Sequence, residues 1–240
     1  MTEAKAPAWL TARPIAHRGL HDPAAGRPEN TLGAFEAAVE RGFAIECDLQ
    51  PSRDGEAMVF HDFELERLTR ATGRIDERDA AALAGLSVLG TDERIPTLAD
   101  LLALVADAVP VVVELKGPQR DPDRFVAAVA RACDSYDGRV AVMSFDPAIV
   151  RRFAAALPDR PRGLTAMGGA DSAASHAALF AEADLHFVSY HVDDLPQAFV
   201  ADARARGAAA ITWTVRTAEQ VAATARFADQ MTFEGFLPDG

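Results

Sequence analysis

From residue 111 to residue 233 short apolar runs alternate with amphipathic stretches, and few architectures accept that pattern. The spacing predicts strands over 111–116, 139–144, 162–166, 185–190, 209–215 and 229–233. Helices are predicted between them, over 123–133, 147–156, 172–182, 196–206 and 217–226. Two strands upstream, over 13–19 and 43–49, bring the principal strands to eight. Strand and helix in strict alternation imply parallel strands joined by right-handed crossovers, and eight such units close a (β/α)8 TIM barrel. The chain has 240 residues, 49% of them hydrophobic, enough for one large core. Barrels of about 250 residues commonly form one domain, so residues 1–240 are expected as one unit. An open doubly wound sheet would need a glycine-rich turn after its first strand, which Ala16-His17-Arg18-Gly19 does not supply.

The first half of the chain is less regular. Pro28-Glu29-Asn30-Thr31 opens a helix, with Asn30 or Thr31 as N-cap and Leu32, Phe35, Ala38 and Val39 at helical spacing before Gly42. After strand 43–49, the turn Ser52-Arg53-Asp54-Gly55 leads into a short strand, 57–60, that delivers His61 and Asp62. Residues 62–95 have mixed charge and weak periodicity, so they read as a small insertion after the second strand, with short helices, seated above the strand ends. A helix over 97–106 follows. The last strand ends close to Gly240, leaving no room for an eighth outer helix, and the segment around Trp9 and Leu10 is the candidate to cover that gap.

The chemistry begins at Ile45-Glu46-Cys47-Asp48-Leu49. With a period of two, Phe43, Ile45, Cys47 and Leu49 form an apolar face while Glu46 and Asp48 share the other. Two carboxylates on a core-like strand are costly to bury unless a positive charge faces them. On the strand at 111–116, Val112, Glu114 and Lys116 share one face. In a barrel the active site lies at the carboxyl ends of the strands. There the polar residues collect: His17 and Arg18, Glu46 and Asp48, His61, Glu114 and Lys116, Ser144 and Trp213. Three carboxylates suit Mg2+ or Ca2+ better than zinc, which more often recruits nitrogen or thiolate. Histidines on separate strands can serve as base and acid. Arg18 and Lys116 add fixed positive charge, which implies an anionic substrate such as a phosphate diester.

Composition narrows the partners. The formal charge of −12, from 36 acidic and 24 basic residues, and the lack of a concentrated basic patch argue against nucleic acid and against stable association with an anionic membrane. The stretch 1–14 has no apolar core of signal-peptide length, and no later run reaches the roughly 20 apolar residues of a membrane span, so a cytoplasmic location is expected. Cys47 and Cys133 are the two cysteines, and Cys47 falls on an apolar strand face, where a small buried thiol belongs.

The ordered pieces His17-Arg18-Gly19, Pro28-Glu29-Asn30-Thr31, Glu46-x-Asp48, Asp54-Gly55 and His61-Asp62 resemble the glycerophosphodiester phosphodiesterase family. Leu68-x-Arg70-x-Thr72-Gly73, Arg94-Ile95-Pro96-Thr97-Leu98, Glu114-Leu115-Lys116, Ser144-Phe145 and Trp213-Thr214-Val215 extend the resemblance over most of the chain. It implies a TIM barrel that hydrolyses glycerophosphodiesters to glycerol 3-phosphate and an alcohol with a divalent metal. On that resemblance Glu46, Asp48 and Glu114 are the metal ligands, His17 and His61 the acid and base, Arg18 and Lys116 the phosphate clamp. The insertion would shape the substrate site, and Trp213 would form a wall for the glycerol moiety.

Two stretches depart from the family pattern. Met231-Thr232-Phe233-Glu234-Gly235-Phe236 stands where Thr-Asp and a nearby Pro are common, and Arg216 where Asn is frequent. Arg216 is read either as an extra cation favouring a second negative group on the substrate or as an exposed loop residue. A phospholipase-type enzyme on the same barrel is the competing reading, and it calls for an apolar rim for acyl chains. A catalytically silent binding protein is a third, disfavoured by the full set of histidines and carboxylates.

Overall fold

The computed structural model describes residues 6–238. Its strands are β1 (Ile15–Ala16), β2 (Ala44–Pro51), β3 (Ala57–Val59), β4 (Val111–Leu115), β5 (Val140–Ser144), β6 (Arg162–Ala166), β7 (Phe187–His191), β8 (Ala209–Val215) and β9 (Gln230–Phe233). All pair in parallel except β3, which folds back antiparallel on the end of β2. The order runs β1-β9-β8-β7-β6-β5-β4-β2, and β1 also pairs with β2, so eight parallel strands close into a (β/α)8 barrel. Between them lie α1 (Leu32–Glu40), α2 (Ala80–Ala84), α3 (Leu98–Val105), α4 (Pro122–Asp134), α5 (Pro147–Ala156), α6 (Ala170–Glu182), α7 (Ala198–Ala205) and α8 (Ala218–Phe227). None of them is long and apolar enough to cross a membrane.

Local chemistry sets the boundaries. Asp121 and Asp146 accept hydrogen bonds from the first turns of α4 and α5, each followed by a proline whose missing N–H costs nothing there. Thr97 and Asp100 cap α3 reciprocally. At the start of α1, Thr31 takes the cap position, one of the two expected, while its hydroxyl donates to the Pro28 carbonyl and the Asn30 side chain turns to Asp48. The first strand is shorter than 13–19, because only Ile15 and Ala16 pair with both β2 and β9 before Arg18 turns the chain at φ 55°. Gly19 completes that turn at φ 78°, and a Cβ there would lie 2.9 Å from the backbone of Ala34 in α1.

The residues between strands and helices form the main core, including Ile45, Cys47 and Leu49 from β2. Both thiols are buried, and burial pushes Cys133 up to about 11. A separate cluster closes the lumen: Ile15, Ala44, Val112, Ala141, Met143, Phe187, Ala209 and Ile211, with Leu10 at 1% exposure. Leu10 therefore plugs the barrel floor, and this corrects the expectation that its segment replaces the eighth helix. The large ring of Phe187 fits because β6 carries Gly163 opposite it, where a Cβ would lie 2.4 Å from the ring. The insertion after β3 has its own core, in which Leu65, Leu68, Ile75, Leu83, Val88 and Ile95 pack onto Met58 and Phe60.

Candidate active site

Strand register assembles the acidic centre. Glu46 and Asp48 face the lumen from β2, and Asp48 is the direct partner of Glu114 on β4. The three are almost wholly buried, and each offers an oxygen within 4.8 Å of the others. Lys116 Nζ lies 2.8 Å from Asp48 Oδ1 and 2.6 Å from Glu114 Oε1. Arg18 donates its backbone N–H to Glu46 Oε2 at 3.0 Å. Its Nε stands 3.1 Å from Asp48 Oδ2 as an ion pair without hydrogen-bond alignment. Asn30 donates to Asp48 Oδ2 at 2.9 Å and accepts the Asp48 backbone N–H at 3.3 Å, so one amide holds both the side chain and the backbone of Asp48.

The electrostatics of the three acids diverge. Burial pushes Glu46 well above its ordinary range, and the neighbouring Asp48 and Glu114 add to the push. Glu114 is raised by burial as well, against the pull of Lys116. Asp48 would also rise on burial, but Lys116 and Arg18 hold it well below the usual carboxylate range. Three hard oxygen donors, one of them pushed toward its neutral form by burial and by its acidic neighbours, fit a divalent cation that would supply the missing positive charge.

Both predicted histidines stand at this centre, each with a carboxylate on Nδ1. His61 Nδ1 is 2.6 Å from Asp62 Oδ1. His17 Nδ1 is bonded to Glu234 Oε2, and His17 Nε2 lies 3.9 Å from Glu46 Oε2. Burial lowers the pKa of both rings. The hydrogen bond from His17, with His21 Nε2 3.9 Å from the same oxygen, holds Glu234 well below the usual carboxylate range. A carboxylate on Nδ1 selects the tautomer that leaves Nε2 free to accept a proton.

A cavity of about 820 Å3 opens beside them, lined in part by His61, Asp62, Arg67, Glu114, Lys116 and Phe145. Trp213 donates its indole N–H to the Ser189 carbonyl and packs edge-on against Phe145 at 5.3 Å and His191 at 4.9 Å. It thus stands against the ring of Phe145, which lines the cavity. Ser144 is satisfied within the fold, donating to the Leu115 carbonyl. Arg216 binds Glu234 Oε1 at 3.1 Å, so its charge is committed to that carboxylate.

Sequence reasoning missed Glu234, Asn30, Glu29 and Arg67. Glu234 lies 217 positions from the histidine it holds, in the stretch that departs from the family pattern. Asn30 carried a signal, but one that read equally well as a helix cap. From the insertion it is Arg67, within Leu65-x-Arg67, that reaches the site.

Fold and site together define a (β/α)8 barrel whose carboxyl-end mouth gathers three buried acids, two carboxylate-held histidines and two cations. The chain belongs to the glycerophosphoryl diester phosphodiesterase family, whose pattern matches residues 17–239. It is 32% identical over 173 residues to a Mycobacterium tuberculosis protein named "Probable glycerophosphodiester phosphodiesterase 1", covering 61% of each chain. It is 38% identical over 102 residues to a glycerophosphodiester phosphodiesterase of Caldanaerobacter subterraneus, covering 39% of this chain and 40% of that one. The matches thus span less than two thirds of these relatives' length. Among solved structures, an Oleispira antarctica phosphodiesterase in complex with the product sn-glycerol-3-phosphate superposes with a TM-score of 0.81 at 24% identity, over 91% of both chains. A Thermotoga maritima glycerophosphodiester phosphodiesterase gives 0.75 at 21%, over 91% of this chain and 92% of that one. At such identities these likenesses speak to the fold.

Proposed function

We propose that this chain hydrolyses glycerophosphodiesters to glycerol 3-phosphate and an alcohol, with a divalent cation, Mg2+ or Ca2+, held by Glu46, Asp48 and Glu114. The observation that carries the reading is the pairing of His17 with Glu234 and of His61 with Asp62 beside the acidic triad. Family membership supports it, as does a solved neighbour in complex with sn-glycerol-3-phosphate.

A phosphodiester resists attack because it is anionic and its leaving alkoxide is poor. Arg18 and Lys116 hold the phosphate and draw off part of its charge. When bound, the cation would add Lewis acidity at the same oxygens. One histidine takes at Nε2 the proton of the attacking nucleophile, water or the substrate's own glycerol hydroxyl, and the other delivers a proton to the departing oxygen; in the second case water then opens the cyclic phosphate. The carboxylates on Nδ1 keep both rings aimed and stabilise each imidazolium that forms. Trp213 and Phe145 offer an apolar surface for the carbon edge of the glycerol moiety.

The test is coupled detection of glycerol 3-phosphate from glycerophosphocholine, glycerophosphoethanolamine and glycerophosphoglycerol, with and without chelator. Release that stops on chelation and returns with Mg2+ or Ca2+ is expected. Release insensitive to chelator overturns the metal assignment, and no release from any member of the panel overturns the activity.

One observation favours a lipid substrate as second reading. The exposed large hydrophobic residues among those described are Leu89, in the insertion, and Phe145, Met167 and Leu237, which follow β5, β6 and β9 on the mouth side. A lysophospholipid assayed beside glycerophosphocholine separates the two, and preference for the lipid would select the second.

A further inference from the structure

Arg67 projects from the insertion and uses two edges of its guanidinium at once. Nη1 donates to Glu29 Oε2 at 2.9 Å and Nη2 to Glu29 Oε1 at 2.8 Å, a bidentate pair. Along its other edge, Nε donates to Asp62 Oδ2 at 2.5 Å and Nη2 to Asp62 Oδ1 at 3.1 Å. Neither carboxylate is an idle partner. Glu29 Oε1 also accepts from Arg18 Nη1 at 2.7 Å, and Asp62 Oδ1 also meets His61 Nδ1 at 2.6 Å. A single planar group therefore fixes the carboxylate behind a phosphate-directed arginine and the carboxylate behind a histidine.

Resting on the phosphodiesterase reading above, we propose that Arg67 is a positioning residue that couples the insertion to the reaction: it sets the orientation of His61 through Asp62 and of Arg18 through Glu29. The geometry requires the fork of a guanidinium. A lysine ammonium is a compact point charge and cannot present two parallel hydrogen bonds to one carboxylate while reaching a second along another edge. Charge points the same way. Burial alone would raise both Glu29 and Asp62, yet the hydrogen bonds from Arg67 help keep both below their ordinary range, ionised and able to accept. The arrangement gives the insertion a role besides walling the cavity. Its small core seats on Met58 and Phe60, and from that seat Arg67 reaches back across the mouth.

The experiment compares Arg67→Ala, Arg67→Lys and the exposed control Arg70→Ala in the full chain, with glycerophosphocholine as substrate. Arg67→Ala is expected to lower kcat about 10- to 100-fold, the usual cost of removing a group that orients a reacting one, and to raise KM as Arg18 loosens. Arg67→Lys should recover little of the loss, and Arg70→Ala should match the parent. In an Asp62→Asn background the kcat effect of Arg67→Ala should largely vanish, because the two act through one histidine. Independently of turnover, the proton on His61 Nδ1 should give a downfield NMR signal, assigned by its loss in His61→Gln, that broadens or moves upfield in Arg67→Ala.

Additive effects of Arg67→Ala and Asp62→Asn would overturn the proposal. So would a rise in KM alone with the His61 signal unmoved, which makes Arg67 a direct substrate contact. If Arg67→Ala does not fold, Arg67→Lys decides, and parent-like kcat in that variant refutes the need for a fork. If the parent protein releases no glycerol 3-phosphate, the phosphodiesterase reading fails while the His61 signal still tests the coupling.

Discussion

Ala44 and Glu46 lie on the same face of β2, Val112 and Glu114 on the same face of β4, and Ile211 and Trp213 on β8. One step of two residues separates the apolar floor of the barrel from its reactive mouth. The floor is a dry plug of Leu10, Ile15, Ala44, Val112, Met143, Phe187 and Ile211. The mouth holds Glu46, Asp48 and Glu114 at nearly the same burial, between Arg18 and Lys116. The floor coheres because nothing in it needs a partner. The mouth coheres only because each charge has one, and Glu46, least well matched, is pushed toward its neutral form. Burial itself therefore does not separate structural from reactive positions in this barrel. The supply of partners does.

Substitutions should break the two regions in opposite ways. The largest effect belongs to the mouth: His17→Ala and His61→Ala are each expected to lower kcat by roughly 10² to 10⁴ with the thermal midpoint little changed. Retained turnover in either would remove that histidine from the reaction. Next comes Leu10→Ala at the floor, which should cost about 2–5 kcal/mol in denaturant unfolding while kcat per folded molecule stays at the parent value. A comparable loss of kcat would mean that floor and mouth are coupled. Gly163→Ala presses on the Phe187 ring and should cost about 1–3 kcal/mol, again without a change in kcat.

The smallest effect concerns pH. Because burial raises Glu46, its proton leaves at higher pH than that of an ordinary carboxyl, and an incoming cation competes with that proton. Calorimetric titration with Mg2+ or Ca2+ should therefore show affinity rising with pH, by up to about tenfold per unit while that one proton is released, and levelling once Glu46 is ionised. Affinity that is flat across the same range would place the cation away from Glu46.

Much of this was legible without coordinates. The strand and helix alternation after residue 111 led directly to the closed barrel, because crossovers between parallel strands leave a periodic trace. Glu46, Asp48 and Glu114 were legible for the same reason: side chains two apart share a face, so apolar neighbours on the other face mark the pair as inward. Two readings went astray where tertiary contact outweighed local preference: Leu10 entered the lumen floor instead of replacing a helix, and the first strand shrank to two residues. Of the two cap candidates for α1, Thr31 took the position and Asn30 was left to serve Asp48.

The barrel, the inward carboxylates, the histidines at strand ends and the family follow from the chain's own order, since each is written in local spacing or in short ordered motifs. Which carboxylate holds His17, and which pair Arg67 grips, came from the folded packing alone. His17 meets Glu234 because barrel closure lays β9 beside β1, and Arg67 meets Glu29 and Asp62 because the insertion folds back over the mouth. The first pairing spans 217 positions and exists only once closure has brought the two ends of the barrel together; the second needs the insertion to fold back, and no local periodicity records either.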